Sequence, residues 1–259
     1  MSDVRLERRG KVLIVTLDRP KANAIHVATS LALHRAFRTL DEEPDLRVGI
    51  ITGSGRFFSA GWDLFAASQG EATNADHGPG GFAGLTEYFA LSKPVIAAVN
   101  GMAVGGGFEL ALAADLIVAS TAASFWLPEV QLGILPDSGG LLRLPKSLPS
   151  RLAREMILTG RRLEASEALC AGLVSRVADP ERLLETAMAL AEEIIAGAPL
   201  AIKAARDILH ATENLDVADG YELMRSGALS SYRAMLGSED ALEGPRAFAE
   251  RRPPRWCGR

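Results

Sequence analysis

Residues 95–118 have the sequence VIAAVNGMAVGGGFELALAADLIV, which contains one complete change from strand to helix and back to strand. The apolar run 95–99 has the length of a strand that is buried on both faces, and it ends at Gly101. Three glycines at 105–107 begin an alanine-rich stretch of helical character, and residues 116–119 are again strand-like. This order of strand, glycine turn, helix and strand predicts an α/β core.

The segments on either side extend this pattern. Residues 12–17 and 48–52 predict strands, and the apolar spacing of residues 25–43 predicts a helix between them. Residues 66–86 are rich in glycine and polar side chains, so we expect a mobile loop there, with a lid as one role for it. From residue 147 onward the pattern is almost continuously helical. Because such a tail lacks a large core of its own, it packs on the main domain or on a second subunit.

The composition limits the classes of protein to which the chain can belong. Of its 259 residues 48% are hydrophobic, and no apolar run approaches the roughly 18 residues of a membrane span. The net charge of -4 lacks the basic excess of a nucleic-acid-binding protein. Two distant cysteines, and histidines without metal-ligand spacing, predict neither a disulfide framework nor a metal site. The first residues do not resemble a secretory leader, so we expect a cytoplasmic protein without membrane or nucleic-acid partners.

Residues 105–109, Gly-Gly-Gly-Phe-Glu, are the first candidate for chemistry. The N–H groups at the start of a helix are unpaired and lie at the positive end of its dipole. They can therefore bind an anion or a carbonyl oxygen that gains negative charge during a reaction. Glycines also permit tight packing of a helix on a sheet, so a purely structural role for these residues stays open. No Gly-Lys-Ser or Gly-Lys-Thr follows, which excludes a phosphate-binding P-loop.

A second carboxylate, Glu129, follows Pro128 after a short apolar segment. A lone glutamate lies on the surface more often than in a site. Two carboxylates in different environments can however divide the roles of acid and base, as the addition or removal of water across a carbon–carbon bond requires. Glu109 and Glu129 are therefore candidates for such a pair.

Residues 136–140, Pro-Asp-Ser-Gly-Gly, resemble the surroundings of some serine nucleophiles. A serine hydrolase also needs a positioned base, and none of the four histidines lies in a recognisable motif. We favour a structural interpretation in which Asp137 or Ser138 caps the following helix, with a hydrolase based on Ser138 as an alternative. The turn at 59–63, Ser-Ala-Gly-Trp-Asp, can present another free main-chain N–H group.

Taken in order, several segments resemble the crotonase superfamily of enoyl-CoA hydratases and isomerases. The segments that carry this resemblance are 18–24 (DRPKANA), 58–64 (FSAGWDL), 93–101 (KPVIAAVNG), 105–110 (GGGFEL), 128–129 (PE) and 133–136 (GILP). The resemblance implies a spiral of ββα units over residues 1–195. It also implies that a C-terminal helical region, residues 196–259, forms the contacts of a homotrimer or homohexamer. The substrate would be a coenzyme A thioester, with no further cofactor and no metal.

The same resemblance implies roles for individual residues. The main-chain N–H groups of Ala60 and Gly106 would form an oxyanion hole for the thioester oxygen. Glu109 and Glu129 would position water and exchange protons with the substrate, and the presence of both favours hydration or dehydration over isomerase, hydrolase or decarboxylase chemistry. The residues that would contact coenzyme A or the substrate are Lys21, Ala22, Ala24, Gly61, Trp62, Asp63 and Phe82.

Within the superfamily, the chain resembles the dehydratases that interconvert carnitinyl-CoA and crotonobetainyl-CoA. This narrower resemblance rests on residues 17–25, 61–64, 78–87, 136–140, 238–241 and 243–245. Ordinary enoyl-CoA hydratases usually have Gly-Ala-Gly-Gly where this chain has Asp-Ser-Gly-Gly at 137–140.

The quaternary ammonium of such a substrate would find natural partners in aromatic faces, for which Trp62 and Phe82 are candidates. A supporting role for both rings in the fold is the alternative. A general short-chain enoyl-CoA hydratase is a competing interpretation of the whole chain. An acyl-CoA-binding protein without activity is another, from a different functional class.

Overall fold

A computed structural model of the chain describes residues 3–259. Its strands are β1 Val4–Arg9, β2 Val12–Leu17, β3 Val48–Gly53, β4 Phe57–Ser59, β5 Val95–Val99, β6 Met102–Val104, β7 Leu116–Ser120, β8 Ser124–Trp126, β9 Leu163–Glu164 and β10 Arg176–Ala178. Its α-helices are α1 Val27–Glu42, α2 Leu64–Ser68, α3 Gly106–Ala113, α4 Gly140–Ser147, α5 Ser150–Thr159, α6 Ala165–Cys170, α7 Leu183–Ile195, α8 Pro199–Thr212, α9 Val217–Arg225, α10 Ser230–Leu236 and α11 Glu239–Ala249.

Two sheets and the helices that follow their strands make up the first compact part of the chain, which runs to Leu91 and from Val95 to Leu190. The larger sheet has the order β1-β2-β3-β5-β7-β10, and all its strand pairs except β1 with β2 are parallel. The smaller sheet has the order β4-β6-β8-β9, in which β4, β6 and β8 are parallel. Strands β2, β5 and β7 consist mainly of Val, Ile, Leu and Ala and are largely buried, as expected for strands covered on both faces.

From β3 to β8 the strands alternate between the two sheets along the chain. β3 is followed by β4 and α2, and β5 is followed by β6 and α3. β7 is followed by β8 and a short 3-10 helix, Glu129–Leu132. This confirms the predicted α/β core of ββα units, and the strands predicted at 12–17 and 95–99 have the bounds of β2 and β5.

The second compact part consists of Ser92–Pro94 and Ala191–Arg259 and is helical, with α10 packed against α8 and α11. Its last residues fold back along α11, where Asp240 accepts the N–H groups of Cys257 (2.7 Å) and Gly258 (2.9 Å). The use of residues 196–259 in oligomer contacts stays a prediction. Within residues 3–259 no helix is both long and apolar enough to cross a membrane.

The prediction of a mobile loop over residues 66–86 is wrong for its second half. Phe82 is 7% exposed and Ala83 is fully buried, because this part of the segment packs against α1. The Ala83 N–H donates to Ser30 Oγ on α1 at 3.0 Å. A methyl group on Gly84 would lie 2.3 Å from the main-chain nitrogen of His34, so the segment touches the helix backbone itself. Residues 77–86 therefore form a wall of the core.

The side chain of Asn23 connects the turn before α1 to the main chain just before β4 and at its start. Its amide group donates to the carbonyl oxygens of Ser54 (3.0 Å) and Phe57 (2.8 Å), and its Oδ1 accepts the N–H of Arg19 (3.0 Å). Asn23 is 2% exposed, so these polar groups have little access to water. Ser59 Oγ in turn donates to the Asn23 carbonyl at 2.7 Å. The turn before α1 and the end of β4 are thereby joined.

We expect Asn23→Ala to lower the free energy of unfolding by about 2–4 kcal/mol, since it leaves carbonyl and N–H groups in the interior without partners. Thermal unfolding followed by circular dichroism would show a midpoint lower by about 4 °C or more. Asn23 has a left-handed φ of 52°, which alanine tolerates poorly, so Asn23→Gly separates backbone strain from hydrogen bonding. Asn74→Ala, at an exposed position, is the control. A wild-type midpoint in both Asn23 variants would contradict this role.

Candidate active site

Three segments of the candidate site follow three neighbouring strands of the smaller sheet. Because β4, β6 and β8 are adjacent and parallel, the segments after them leave the sheet at the same edge. These segments are 60–63 after β4, 105–109 after β6 and 127–129 after β8. All three contribute to the wall of a cavity of about 750 Å³ in the first compact part of the chain. The parallel pairing therefore collects residues that are far apart in the sequence.

The start of α3 presents an available N–H group. α3 begins at Gly106, and the preceding Gly105 has a φ of 53° and no side chain with which to cap the helix. Among the described residues no acceptor contacts the Gly106 N–H. A methyl group on Gly105 would lie 2.5 Å from Glu129 Oε1, and one on Gly106 would lie 2.5 Å from the Phe82 ring. Glycine is required at both positions because other side chains pack directly against the backbone there.

The N–H group of Ala60 is already engaged. It donates to the carbonyl oxygen of Ala22 at 2.9 Å. The prediction that Ala60 forms part of an oxyanion hole is therefore wrong, because an N–H group bonded inside the fold is not free for a substrate oxygen. The bond also gives Ala22 a structural role at the end of β4.

The N–H group of Trp62 is available in its place. The Ile25 N–H donates to the Gly61 carbonyl at 2.7 Å, and the Asp63 N–H donates to the Ile25 carbonyl at 2.9 Å. These two bonds flank Trp62, and in this parallel pairing the residue between them directs its own N–H away from the partner segment. Within residues 3–259 the Trp62 N–H has no acceptor.

The backbone of Gly61 explains why Trp62 and Ala60 differ. In a regular strand the N–H groups of residues two apart point in the same direction. Gly61 has a left-handed φ of 78°, which interrupts this alternation between Ala60 and Trp62. A methyl group on Gly61 would lie 2.7 Å from the Gly106 nitrogen, so the segment that carries Trp62 lies against the start of α3.

Glu109 and Glu129 line the cavity and are 3% and 7% exposed. Burial raises the pKa of Glu109 to about 8, although the hydrogen bond from the Gly140 N–H favours the charged form. Burial likewise raises the pKa of Glu129 to about 7, and its Oε2 is buried without a hydrogen-bond partner among the described residues. The pair therefore keeps a proton near neutral pH, so one group can serve as an acid while the other serves as a base.

Glu109 also accepts a hydrogen bond from the main chain at the start of α4. The expectation that Asp137 or Ser138 caps this helix is wrong, because the cap residue is Gly139 and its φ of 117° suits glycine. Glu109 Oε1 instead accepts the N–H of Gly140, the first residue of α4, at 2.7 Å. The hydrogen bond holds the carboxyl group in one position while its environment keeps it partly neutral.

The other predicted contact residues fall into two groups. Trp62 and Phe82 line the cavity, whereas Lys21, Ala22, Ala24, Gly61 and Asp63 do not. Lys21 is exposed to solvent. Contact of the second group with coenzyme A therefore stays a prediction. Among residues 3–259, no three His, Cys, Asp or Glu side chains are grouped so that they could hold a metal ion.

Asp63 has a visible structural role. It caps α2 by accepting the Phe65 N–H at 2.9 Å, and it forms an ion pair with Arg19 at 2.6 Å. Burial alone would raise the pKa of Asp63, but the Arg19 guanidinium and the α2 N–H groups lower it below its ordinary value. Asp63 is therefore charged and anchored next to Trp62.

Sequence reasoning did not single out Glu71. The Trp62 indole N–H donates to Glu71 Oε1 at 3.0 Å, and the Val27 N–H donates to Glu71 Oε2 at 3.1 Å. Glu71 thereby ties the ring of Trp62 to the first residue of α1. Its partners lie 9 and 44 residues away. Because Glu71 also lies in a polar stretch, no local pattern distinguishes it from a surface glutamate.

Ser138 lines the cavity, but none of the histidines described in the structure is hydrogen-bonded to it. His77 Nδ1 is hydrogen-bonded with Ser30 Oγ at 2.8 Å, and His34 packs edge-on against Tyr88 with ring centroids 4.8 Å apart. In the described part of the chain no hydrogen bond joins Ser138 to a histidine. The arrangement gives no support to a hydrolase based on Ser138.

Comparisons with known proteins identify the family and similar structures. The family model described as Enoyl-CoA hydratase/isomerase matches residues 7–259. A protein of Salmonella typhi named carnitinyl-CoA dehydratase is 60% identical over 257 residues, covering 99% of this chain and 98% of that protein. A structure of enoyl-CoA hydratase from Mycobacterium tuberculosis H37Rv has a TM-score of 0.91 and 43% identity over 99% of both chains. A structure of carnitinyl-CoA hydratase from Mycobacterium avium has a TM-score of 0.76 and 42% identity, also over 99% of both chains.

The raised pKa of Glu129 makes stability depend on pH in a defined direction. Between its ordinary value and about 7 the folded protein binds more protons than the unfolded chain, so the free energy of unfolding falls as the pH rises. Glu129→Gln removes this titration. We expect the free energy of unfolding of the variant, relative to that of the wild type, to rise between about pH 5 and about pH 7 by at most about 1.4 kcal/mol per pH unit. Thermal unfolding at each pH would show this as an increasing difference between the two midpoints. Glu181→Gln, at an exposed position, is the control, and a flat difference for Glu129→Gln would refute the shift.

Proposed function

This chain belongs to the enoyl-CoA hydratase/isomerase family, and on that premise we propose that it is a lyase that adds water to a short-chain 2-enoyl-CoA and removes it from the 3-hydroxyacyl-CoA. The observation that carries this proposal is the placement of Glu109 and Glu129 in one cavity next to two free main-chain N–H groups. We further propose crotonobetainyl-CoA and carnitinyl-CoA as the substrate pair. Relatives named carnitinyl-CoA dehydratase, about 60% identical over nearly the whole chain, support this choice.

The N–H groups of Trp62 and Gly106 bind the thioester oxygen in the proposed mechanism. Removal of the α-proton places negative charge on this oxygen as an enolate forms. Two donors that are fixed in the backbone stabilise that charge without having to reorient. Loss of one such donor costs on the order of 3 kcal/mol in other oxyanion holes, which corresponds to a factor of more than a hundred in rate.

Glu109 and Glu129 carry the protons. In dehydration one carboxylate takes the α-proton, and the other group, in its acid form, protonates the 3-hydroxyl as the carbon–oxygen bond breaks. One water molecule leaves, and the electron pair of the former α C–H bond becomes the new double bond. Hydration follows the same steps in reverse, with water held between the two carboxyl groups. The raised pKa values suit this exchange, because each group can gain or lose a proton near neutral pH.

Coenzyme A enters as part of the substrate. We assign its contacts to Lys21, Ala22, Ala24 and the segment 61–63, and the exposed Lys21 ammonium suits a phosphate group. The reaction needs proton transfer and charge stabilisation alone, so the proposal includes no resident cofactor or metal. A homotrimer or homohexamer in the cytoplasm is the proposed setting.

A general short-chain enoyl-CoA hydratase is the second candidate, favoured by similar structures named enoyl-CoA hydratase. The thioester and water sites would be the same, and only contacts to the acyl group would differ. An acyl-CoA-binding protein without activity is disfavoured. Two buried carboxyl groups with raised pKa values cost stability, and binding alone has no use for them.

Glu109→Gln and Glu129→Gln test the proposed function. Each variant should lose about a thousandfold or more in kcat, because amides exchange no protons, while binding of the thioester changes little. Hydration of crotonobetainyl-CoA and crotonyl-CoA is followed by loss of the enoyl absorbance, with release of free thiol measured in parallel. Calorimetric titration with a non-reacting acyl-CoA checks binding. Near-normal turnover in either variant would overturn the proposal, and thiol release that matches thioester loss would establish a hydrolase.

A further inference from the structure

The cavity wall carries an unusual charge distribution. Besides Glu109 and Glu129 it includes three more carboxylates, Asp76, Glu87 and Asp137. Among the described residues that line it, none is Lys or Arg. The ring of His77 is buried and hydrogen-bonded with Ser30 Oγ, and burial lowers its pKa, so it adds no positive charge at neutral pH. The side chains of this wall thus favour a positively charged group in the cavity.

Glu129 independently indicates that a ligand completes this wall. Its Oε2 is buried and has no hydrogen-bond partner in the described part of the chain, although the residue is only 7% exposed and lines the cavity. Buried carboxylate oxygens are normally satisfied within the fold. An oxygen left without a partner at a cavity wall is satisfied by what enters the cavity, which here is the water or hydroxyl of the substrate.

Asp137 is the carboxylate best placed to act on the same substrate. It lies three residues before Gly140, whose N–H binds Glu109 Oε1. Its charge raises the pKa of both Glu109 and Glu129. Neither Asp76 nor Glu87 is among the main causes of these two shifts. Asp137 is exposed and lines the same cavity, and these charge effects indicate that it lies close to both glutamates.

We propose that Asp137 is the residue that selects an acyl chain bearing a permanent positive charge, by pairing with the quaternary ammonium on the carbon next to the reacting β-carbon. This inference rests on the proposed function. A quaternary ammonium donates no hydrogen bond, so its partners are a carboxylate charge and aromatic faces. Trp62 and Phe82 supply such faces on the same cavity, and Asp137 supplies the charge. A neutral acyl chain gains nothing from Asp137.

Asp137→Asn tests this role because it keeps the shape of the side chain and removes its charge. We would measure kcat/KM of the full-length enzyme with crotonobetainyl-CoA and with its neutral carbon isostere, 5,5-dimethylhex-2-enoyl-CoA. The variant should lose about tenfold for the cationic substrate, and the isostere should change by less than about threefold. Added salt should reduce the wild-type preference for the cation and should leave that of the variant nearly unchanged.

Two further variants make the result specific. Asp137→Glu keeps the charge and should retain most of the preference. Glu87→Gln removes another carboxylate of the same wall and should leave the ratio of the two kcat/KM values unchanged. The pH–rate profile gives an independent readout, because loss of the Asp137 charge lowers the pKa of both glutamates and shifts both limbs of the profile to lower pH.

The outcomes separate this inference from the proposed function. An equal loss for both substrates in Asp137→Asn would overturn the inference and show a role in positioning the glutamates. An Asp137→Asn variant that keeps the wild-type kcat/KM for both substrates would overturn it too. If the wild type hydrates both substrates, the proposed hydratase function stands in either case. A wild-type enzyme that hydrates neither substrate would instead overturn the proposed function itself.

Discussion

The burial of two carboxyl groups next to two unpaired main-chain N–H groups is the constraint on which the site depends. Removing a carboxylate from water costs free energy, and the fold reduces that cost by leaving the pair partly protonated. Among the described residues, the N–H groups of Trp62 and Gly106 also have no competing acceptor. A site that is unfavourable for the empty protein is therefore prepared for a substrate that brings an oxygen and a hydroxyl.

The smaller sheet makes this burial possible. Its parallel strands β4, β6 and β8 end at one edge, and glycines allow the segments that follow to approach at backbone distance. At Gly107 a methyl group would lie 2.3 Å from the Ser59 carbonyl oxygen, and at Gly105 it would meet Glu129. The glycines at 105–107 thus serve packing, which confirms the structural interpretation of this motif, and they also leave the start of α3 open, as the proposed oxyanion hole requires.

Much of the fold and part of the site could be predicted because their causes are local. Strand-length apolar runs predict β2 and β5, and the alternation of strands, glycine turns and helices predicts the ββα units. Glu109 and Glu129 follow short strands, and residues in such positions gather at one sheet edge. The prediction of a mobile loop over residues 66–86 is wrong for the second half of the segment. Its polar, glycine-rich composition is typical of loops, whereas the burial of Phe82 depends on contact with α1, which is distant in sequence.

The sequence by itself determined the class of the fold, the family resemblance and the two acidic residues, since these depend on residue type and order. The tertiary structure alone decided which N–H groups are free. The N–H group of Ala60 donates to the Ala22 carbonyl oxygen, while the positive φ of Gly61 leaves the N–H group of Trp62 available. It also decided that Glu109 binds Gly140 and that Asp137 faces the same cavity. Hydrogen bonds and charges act between groups that are close in space, and the sequence does not specify those distances until the chain has folded.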